Sequence, residues 1–217
     1  MLQLENICYR YKNSESDVLN NISADFEAGK FTAIVGPSGS GKTTLLSIMA
    51  GLDLPTTGGV EIDGEDLASM DLNRYRREKV AMIFQAFQLF PLLTALENVC
   101  YPMDMNKTPK GEAKKRAIAL LESVGIDGEK HKRYPANLSG GEQQRVAIAR
   151  ALSTGAKVIL ADEPTGNLDK TNGKIVVDIL KRLAHEQGYA VIVVTHDPAI
   201  AEASDVVYRM SDGAIAG

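Results

Sequence analysis

Three stretches of this sequence hold residues whose types and spacing can do chemistry. GPSGSGKTT, residues 36–44, fits G-x-x-x-x-G-K-[ST] between an apolar strand and a helix. Gly36, Gly39 and Gly41, with Pro37, Ser38 and Ser40 between them, let the loop wrap so that amide hydrogens point inward at phosphate oxygens. A helix beginning near Lys42 adds the positive end of its dipole. Lys42 then reaches the β- and γ-phosphates, the Thr43 hydroxyl ligates Mg²⁺, and Thr44 follows in the same turn. The motif implies a nucleotide and goes no further, because kinases, GTPases and motors share it. In VILADE, residues 158–163, Asp162 and Glu163 stand at the C-terminal end of a buried strand, which in open parallel sheets faces the ligand crevice. Asp162 suits Mg²⁺, directly or through water, and Glu163 suits a general base for a hydrolytic water. His196 ends a second core strand in VIVVTHD, where imidazole can bond a γ-phosphate oxygen and orient that water. His131 and His185 lie in polar surface contexts and are assigned no chemistry. Asp169, in PTGNLD, either caps the following helix or takes part in the site.

A fourth stretch, LSGGEQQR at 138–145, reads as a helix start: Ser139 is a good N-cap and Glu142 completes a capping box. Its first two helical residues are Gly140 and Gly141, and glycine costs roughly 1 kcal/mol against alanine inside a helix. A glycine pair there suggests that something must approach the backbone.

The elements that position these groups follow from periodicity. LQLENICYRY and LNNISADF alternate as strands around the polar loop KNSESD. FTAIVG is a short buried strand, KTTLLSIMAG a helix that Gly51 closes, GGVEIDGEDL a strand with a glycine turn, and KVAMIF another strand. From about residue 86 to 155 the texture becomes helical, in TALENVCYPM, PKGEAKKRAIALLESVG and GEQQRVAIARALSTG; Pro109 opens the second of these and Gly125 ends it. KVILAD and AVIVVTH are continuous apolar runs, as in parallel strands covered on both faces. Between them KTNGKIVVDILKRLAHEQ places Ile175, Val176, Ile179, Leu180 and Leu183 on one helix face. VVYRM, SDG and AIAG end the chain as a hairpin. This is an α/β pattern with a helical insertion, crossed near Gln85 and Gly155.

Composition sets bounds. The 217 residues suit one domain with two lobes, 44% hydrophobic and 24% charged. A formal net charge of −4 argues against a general nucleic-acid surface, and the basic run in EAKKRA reads as a solvated helix face. Cys8 and Cys100 stand alone, as reduced thiols of a cytosolic protein do. No apolar run approaches the ~20 residues that span a bilayer, and no signal peptide opens the chain, so action at a membrane would go through a partner.

The phosphate loop, LSGGEQQR, VILADE, GNLD and TH, in that order, resemble the ATP-binding subunit of ABC transporters, and the likeness covers essentially the whole chain. It implies a phosphate-loop NTPase core (residues 1–85 and 156–217) with a mainly parallel sheet and an N-terminal antiparallel β part, and an inserted helical signature subdomain at about 86–155. Gln85 matches the family's Q-loop glutamine, which senses Mg²⁺ and the attacking water. Tyr11, in CYRYK, stands where the family carries an aromatic that stacks on adenine; Tyr9 competes for that role, and either ring can instead be strand packing. The resemblance implies that Ser139, Gly140 and Gly141 bind the γ-phosphate of ATP held by a second subunit, so that two chains pair head-to-tail around two ATP molecules and Asp169 joins the nucleotide site. FQLFPLLTALENV, RVAIARAL and LADEPTGNLD are similar to the branch of lipoprotein-release, macrolide-efflux and antimicrobial-peptide-resistance ATPases and the cell-division ATPase related to them. In that branch a membrane permease docks near Gln85–Leu93, although FQLFPLL also suits helical-lobe core. The implied function is ATP hydrolysis coupled to export, extraction or mechanical work, with the chain peripheral on the inner face of the cell membrane. A division-site regulatory ATPase without transport is the alternative; a soluble ATPase acting on nucleic acid is disfavoured by the short spacing from Lys42 to Ser139 and by the acidic charge, and one acting on ribosomes by the presence of one such domain where those relatives carry two. The end of the chain at Gly217 suggests that no regulatory C-terminal domain follows.

Overall fold

The computed structural model describes residues 1–12 and 14–216; Asn13 of the polar loop and Gly217 of the terminal hairpin lie outside the described residues. The chain runs β1 (Leu2–Tyr9), β2 (Leu19–Phe26), β3 (Phe31–Val35), α1 (Lys42–Met49), β4 (Thr57–Ile62), β5 (Glu65–Asp66), α2 (Leu72–Glu78) and β6 (Val80–Ile83). It continues through α3 (Ala95–Met105), α4 (Lys110–Ser123), α5 (Gly140–Ser153), β7 (Val158–Asp162), α6 (Lys170–Gln187), β8 (Ala190–Thr195), α7 (Pro198–Glu202), β9 (Val206–Ser211) and β10 (Ala214–Ala216).

Two sheets form. β2-β1-β4-β5 is antiparallel. The second has the order β10-β9-β3-β8-β7-β6 and is parallel apart from the β9–β10 hairpin. The apolar runs of β3, β7 and β8 split by alternation into two cores, since successive side chains leave a strand on opposite faces. Ile34, Leu160, Ile192 and Val194 pack with α1 and the antiparallel sheet. Ala33, Ile159, Val191 and Val193 pack with α6 and, further out, with α3, α4 and α5.

Register fixes the site. Val35 pairs with Thr195, Asp162 with Val194 and Ile83 with Ala161. Gly36, Glu163, His196 and Phe84 therefore all leave the parallel sheet along one edge. α1 starts from the first of these exits and α5 lies across the other side.

Four local expectations change. α2 and α7 are additional helices: each starts at an aspartate cap, Asp71 or Asp197, and buries a single residue, Tyr75 or Ile200, so neither carries an apolar stripe. Ile175 is 40% exposed at the margin of the α6 stripe, whose buried side is Val176, Ile179, Leu180, Leu183 and Ala184. His131 is not a surface residue but 7% exposed, its Nε2 on the Ile126 carbonyl at 3.0 Å. The loop around it folds over the start of α3, where the carbonyls of His131 and Arg133 accept from the Leu96 and Ala95 amides.

Candidate functional site

The loop after β3 turns into α1 through Gly41, whose φ of 96° is strained for any side chain. No side chain caps α1 and its first turn holds no acid, whereas Asp71, Thr94, Ser139 and Asp169 cap the helices they precede. The free amides of this helix start face a cavity of about 640 Å³ lined by Val18, Ser38, Gly39, Gly41, Lys42, Thr43, Thr44, Glu163, Val194 and His196. An uncapped, acid-free N-terminus at a cavity of this size suits an anion such as a triphosphate. Lys42 is 8% exposed, and its ammonium donates to the carbonyls of Gly36 (2.9 Å) and Pro37 (2.8 Å), with Ser40 Oγ at 3.5 Å.

Opposite the loop, Glu163 takes a left-handed φ of 46°, which costs a non-glycine residue of order 1 kcal/mol or more. Its amide is tied to the Val194 carbonyl at 2.9 Å and its own carbonyl accepts from Gly166 at 3.0 Å. The strained backbone aims the carboxylate at the end of β8, where Oε1 lies 2.7 Å from His196 Nδ1 and Oε2 accepts from the Thr195 hydroxyl at 3.3 Å. Nδ1 carries the proton in this pair, leaving Nε2 as the second polar atom of a largely exposed ring. The sequence places both residues at strand ends; neither their direct contact nor the positive φ has a sequence signal. Asp162, one residue earlier, is half-buried. Burial pushes its carboxyl up and the Glu163 charge adds to this, while Thr43 and Lys42 beside it act in the other direction. A hydroxyl and a carboxylate as neighbours form the hard oxygen donor set that Mg²⁺ prefers, so these residues fit the ion.

The other candidates divide. Tyr9 is buried in the strand core, whereas Tyr11 is half exposed, edge-on to Tyr9 at 5.0 Å, with its hydroxyl 3.0 Å from Thr44 Oγ1. Of the two rings, Tyr11 is the more exposed. Gln85 does not line the cavity. Its amide lies over Gly166, where a Cβ would come within 2.7 Å of Nε2, and donates to Asn167 Oδ1 at 3.4 Å; Asn167 returns a bond to the Gln85 carbonyl at 3.0 Å. Asp169 lies outside the cavity too, as the cap of α6: it accepts from the Asn172 amide at 2.9 Å and side chain at 2.7 Å, which hold its carboxyl below the usual range.

Ser139, Gly140 and Gly141 also lie away from the cavity of their own chain. Ser139 and Glu142 form the expected capping box, the Ser139 amide holding the Glu142 carboxyl low. At Gly140 a Cβ would meet nothing nearer than 3.6 Å. At Gly141 it would lie 2.2 Å from Asn172 Oδ1, so the second glycine also makes room for α6 of the same chain. Asn172 and Gln144, which braces both strand-end turns, were missed; each looks like an ordinary polar helix residue in sequence.

A family model described as ABC transporter matches residues 19–166. The chain belongs to that family. It is an ABC-type ATPase cassette with the family's α/β fold. The macrolide export ATP-binding/permease protein MacB of Brucella melitensis is 44% identical over 99% of this chain and 34% of its own length. The chain thus spans about a third of that relative. The ABC transporter ATP-binding protein MJ1508 of Methanocaldococcus jannaschii is 46% identical over 99% of this chain and 97% of its own. Among solved structures, the dimeric ABC transporter cassette MJ0796 superposes with a TM-score of 0.89 at 40% identity, covering 100% of this chain and 97% of that one. A second dimeric structure of MJ0796 is a post-hydrolysis state bound to ADP and Pi, with the same TM-score.

Proposed function

We propose that this cassette powers a membrane complex by binding ATP between two copies and hydrolysing it, in the service of export, extraction or mechanical work by a separate permease. The observation that carries the reading is the Glu163–His196 pair, 2.7 Å apart at the wall of a cavity whose other side is the phosphate loop. Glu163 acts as general base, taking a proton from the attacking water, and His196 holds that carboxylate in place through Nδ1–H; in its doubly protonated form it also donates from Nε2–H to the terminal phosphate. Lys42 exchanges its loop carbonyls for phosphate oxygens, the loop from Gly36 to Gly41 and the amides of Thr43 and Thr44 cradle the phosphates, and Tyr11 stacks on adenine. Thr43, Asp162 and, after release from Asn167, Gln85 would hold Mg²⁺. When bound, the ion supplies neutralisation of the charge that develops on the transferred phosphoryl group.

Ser139 and the open amide of Gly140, with Gly141 behind them and Asp169 fixing the adjacent turn, serve the nucleotide of a second cassette; their position outside their own cavity and the dimeric relative support this. Residues 1–85 and 156–217 form the nucleotide-binding core, and 86–155 the helical signature subdomain. The permease docks near Gln85–Leu93, where Phe84, Phe90, Leu52 and Tyr101 line a groove of about 340 Å³ and Leu92 is 85% exposed. No helix among the described residues is long and apolar enough to cross a membrane. The cassette sits in the cytoplasm, held at the inner face of the membrane by that permease, and binds no nucleic acid.

The test is Glu163→Gln with saturating Mg-ATP. Turnover is expected to fall by about 10²–10⁴-fold, the range of general-base catalysis, while ATP still binds and the chain shifts to a dimer by light scattering. Turnover near that of the parent chain would remove Glu163 from the chemistry, and a monomer at high protein concentration would sink the paired arrangement.

A further inference from the structure

The helix that begins at Ser139 also reaches the hydrolytic side of its own chain. Gln144, in its second turn, is 0% exposed. Its Nε2 donates to the Pro164 carbonyl at 2.9 Å and lies 3.5 Å from the Phe84 carbonyl. Pro164 directly follows Glu163, and Phe84 directly precedes Gln85. Both carbonyls lie just past the last paired residues of β7 and β6, so the sheet ladder claims neither. Gln144 Oε1 has no partner among the described residues. Reversing the amide would set its oxygen against two carbonyl oxygens, so the two donors must face the strand ends. The amide thus serves carbonyls of two separate turns while leaving its own buried oxygen unpaired, so its net contribution to stability is small and what it does is join the two turns to α5. Farther along α5, Arg150 donates to the carbonyls of Gln88 (2.6 Å) and Phe87 (3.1 Å). The segment from Phe84 to Gln88 is therefore held by α5 at both ends.

Resting on the function proposed above, we infer that Gln144 is a positioning residue for hydrolysis: it ties the signature helix to the turns that carry Glu163 and Gln85. A shift of α5 along its axis moves both turns together, so the placement of the base follows the placement of the helix that faces the second cassette.

The experiment uses the full chain with Gln144→Met, which keeps length and removes both donors. Thermal unfolding, ATP-dependent phosphate release and amide hydrogen exchange are compared with the parent. The expected result is a folded chain with an unfolding midpoint at or modestly below that of the parent, since the Pro164 carbonyl loses its donor, a KM for ATP within about twofold, and kcat lower by about tenfold or more. Exchange should accelerate at residues 84–90 and 163–169 and stay unchanged in α1. Should the methionine variant not fold, Gln144→Asn keeps the amide but pulls it back by one methylene, and the same fall in kcat at constant KM is expected. A folded variant with kcat within about twofold of the parent, or with its loss confined to KM, overturns the inference. A parent chain that neither binds nor hydrolyses ATP fails earlier, and sinks the functional reading itself.

Discussion

At the scale of single residues, charge and strain gather around the strand-end edge. Lys42 is held by its own loop, and on the proposed function its removal takes away the cation that meets phosphate. Lys42→Ala should weaken ATP binding by about 10–100-fold, the equivalent of the ~1.5–3 kcal/mol of a hydrogen bond to a charged group, as measured by calorimetry. Unaltered affinity would separate the lysine from the nucleotide. The helix caps make a different, pH-dependent contribution. Glu142 and Asp169 are held low by the Ser139 and Asn172 amides, so folding lowers the pKa of each. Their stabilisation is present in full above the unfolded carboxylate range, about pH 4, and is lost as pH falls through the lower folded values. Unfolding midpoints should drop steeply below about pH 4, and Glu142→Gln should flatten that acid limb; an identical slope in parent and variant would refute the assignment.

At the scale of elements, the junction of α5 with α6 separates the two glycines by the room each has for a side chain. Gly141→Ala would press a methyl group onto Asn172, and overpacking of this kind costs typically 1–3 kcal/mol, which outweighs the gain of up to ~1 kcal/mol from replacing a helical glycine. Asn172→Ala removes Oδ1 and Cγ, the atoms at 2.2 and 2.5 Å, but keeps Cβ at 2.9 Å, so the double variant should recover part of the loss in denaturant unfolding. Additive losses would show that Asn172 is not the obstacle. Gly140→Ala has room and should be neutral or mildly stabilising by the same measurement. This junction also marks what the sequence can and cannot convey. The phosphate loop is local, so its residues announce themselves, and the strands that end in Asp162 and Thr195 are continuous apolar runs with one possible placement in a covered sheet. Asn172 against Gly141 and Gln144 against Phe84 join distant segments, and nothing in the local pattern marks either pair. The short helices α2 and α7 escaped for the opposite reason, each burying only one side chain and so lacking any period. His131 looked exposed because its neighbours are charged, yet the loop's backbone is needed to satisfy the first amides of α3.

At the scale of the whole molecule, the proposed function assigns two surfaces to other chains: the edge that bears Ser139 and the groove around Phe90. Leu92→Glu places a charge on the most exposed apolar side chain of that groove region. The variant should purify as a folded chain yet fail to recover a membrane protein that the parent chain recovers in mild detergent. Recovery at the parent level would move the docking surface elsewhere. Ser139 and Gly140 lie outside the cavity formed by Lys42 and Glu163 of the same chain, and this has a kinetic consequence. If each chemical event needs both groups, turnover per molecule of the free cassette must rise with its concentration and level off only when encounters cease to be limiting. Holding two cassettes on one permease would replace that bulk concentration with a local one, which short tethers set in the millimolar range. The rate would then be governed by attachment, and cassettes adrift from the membrane would consume little ATP.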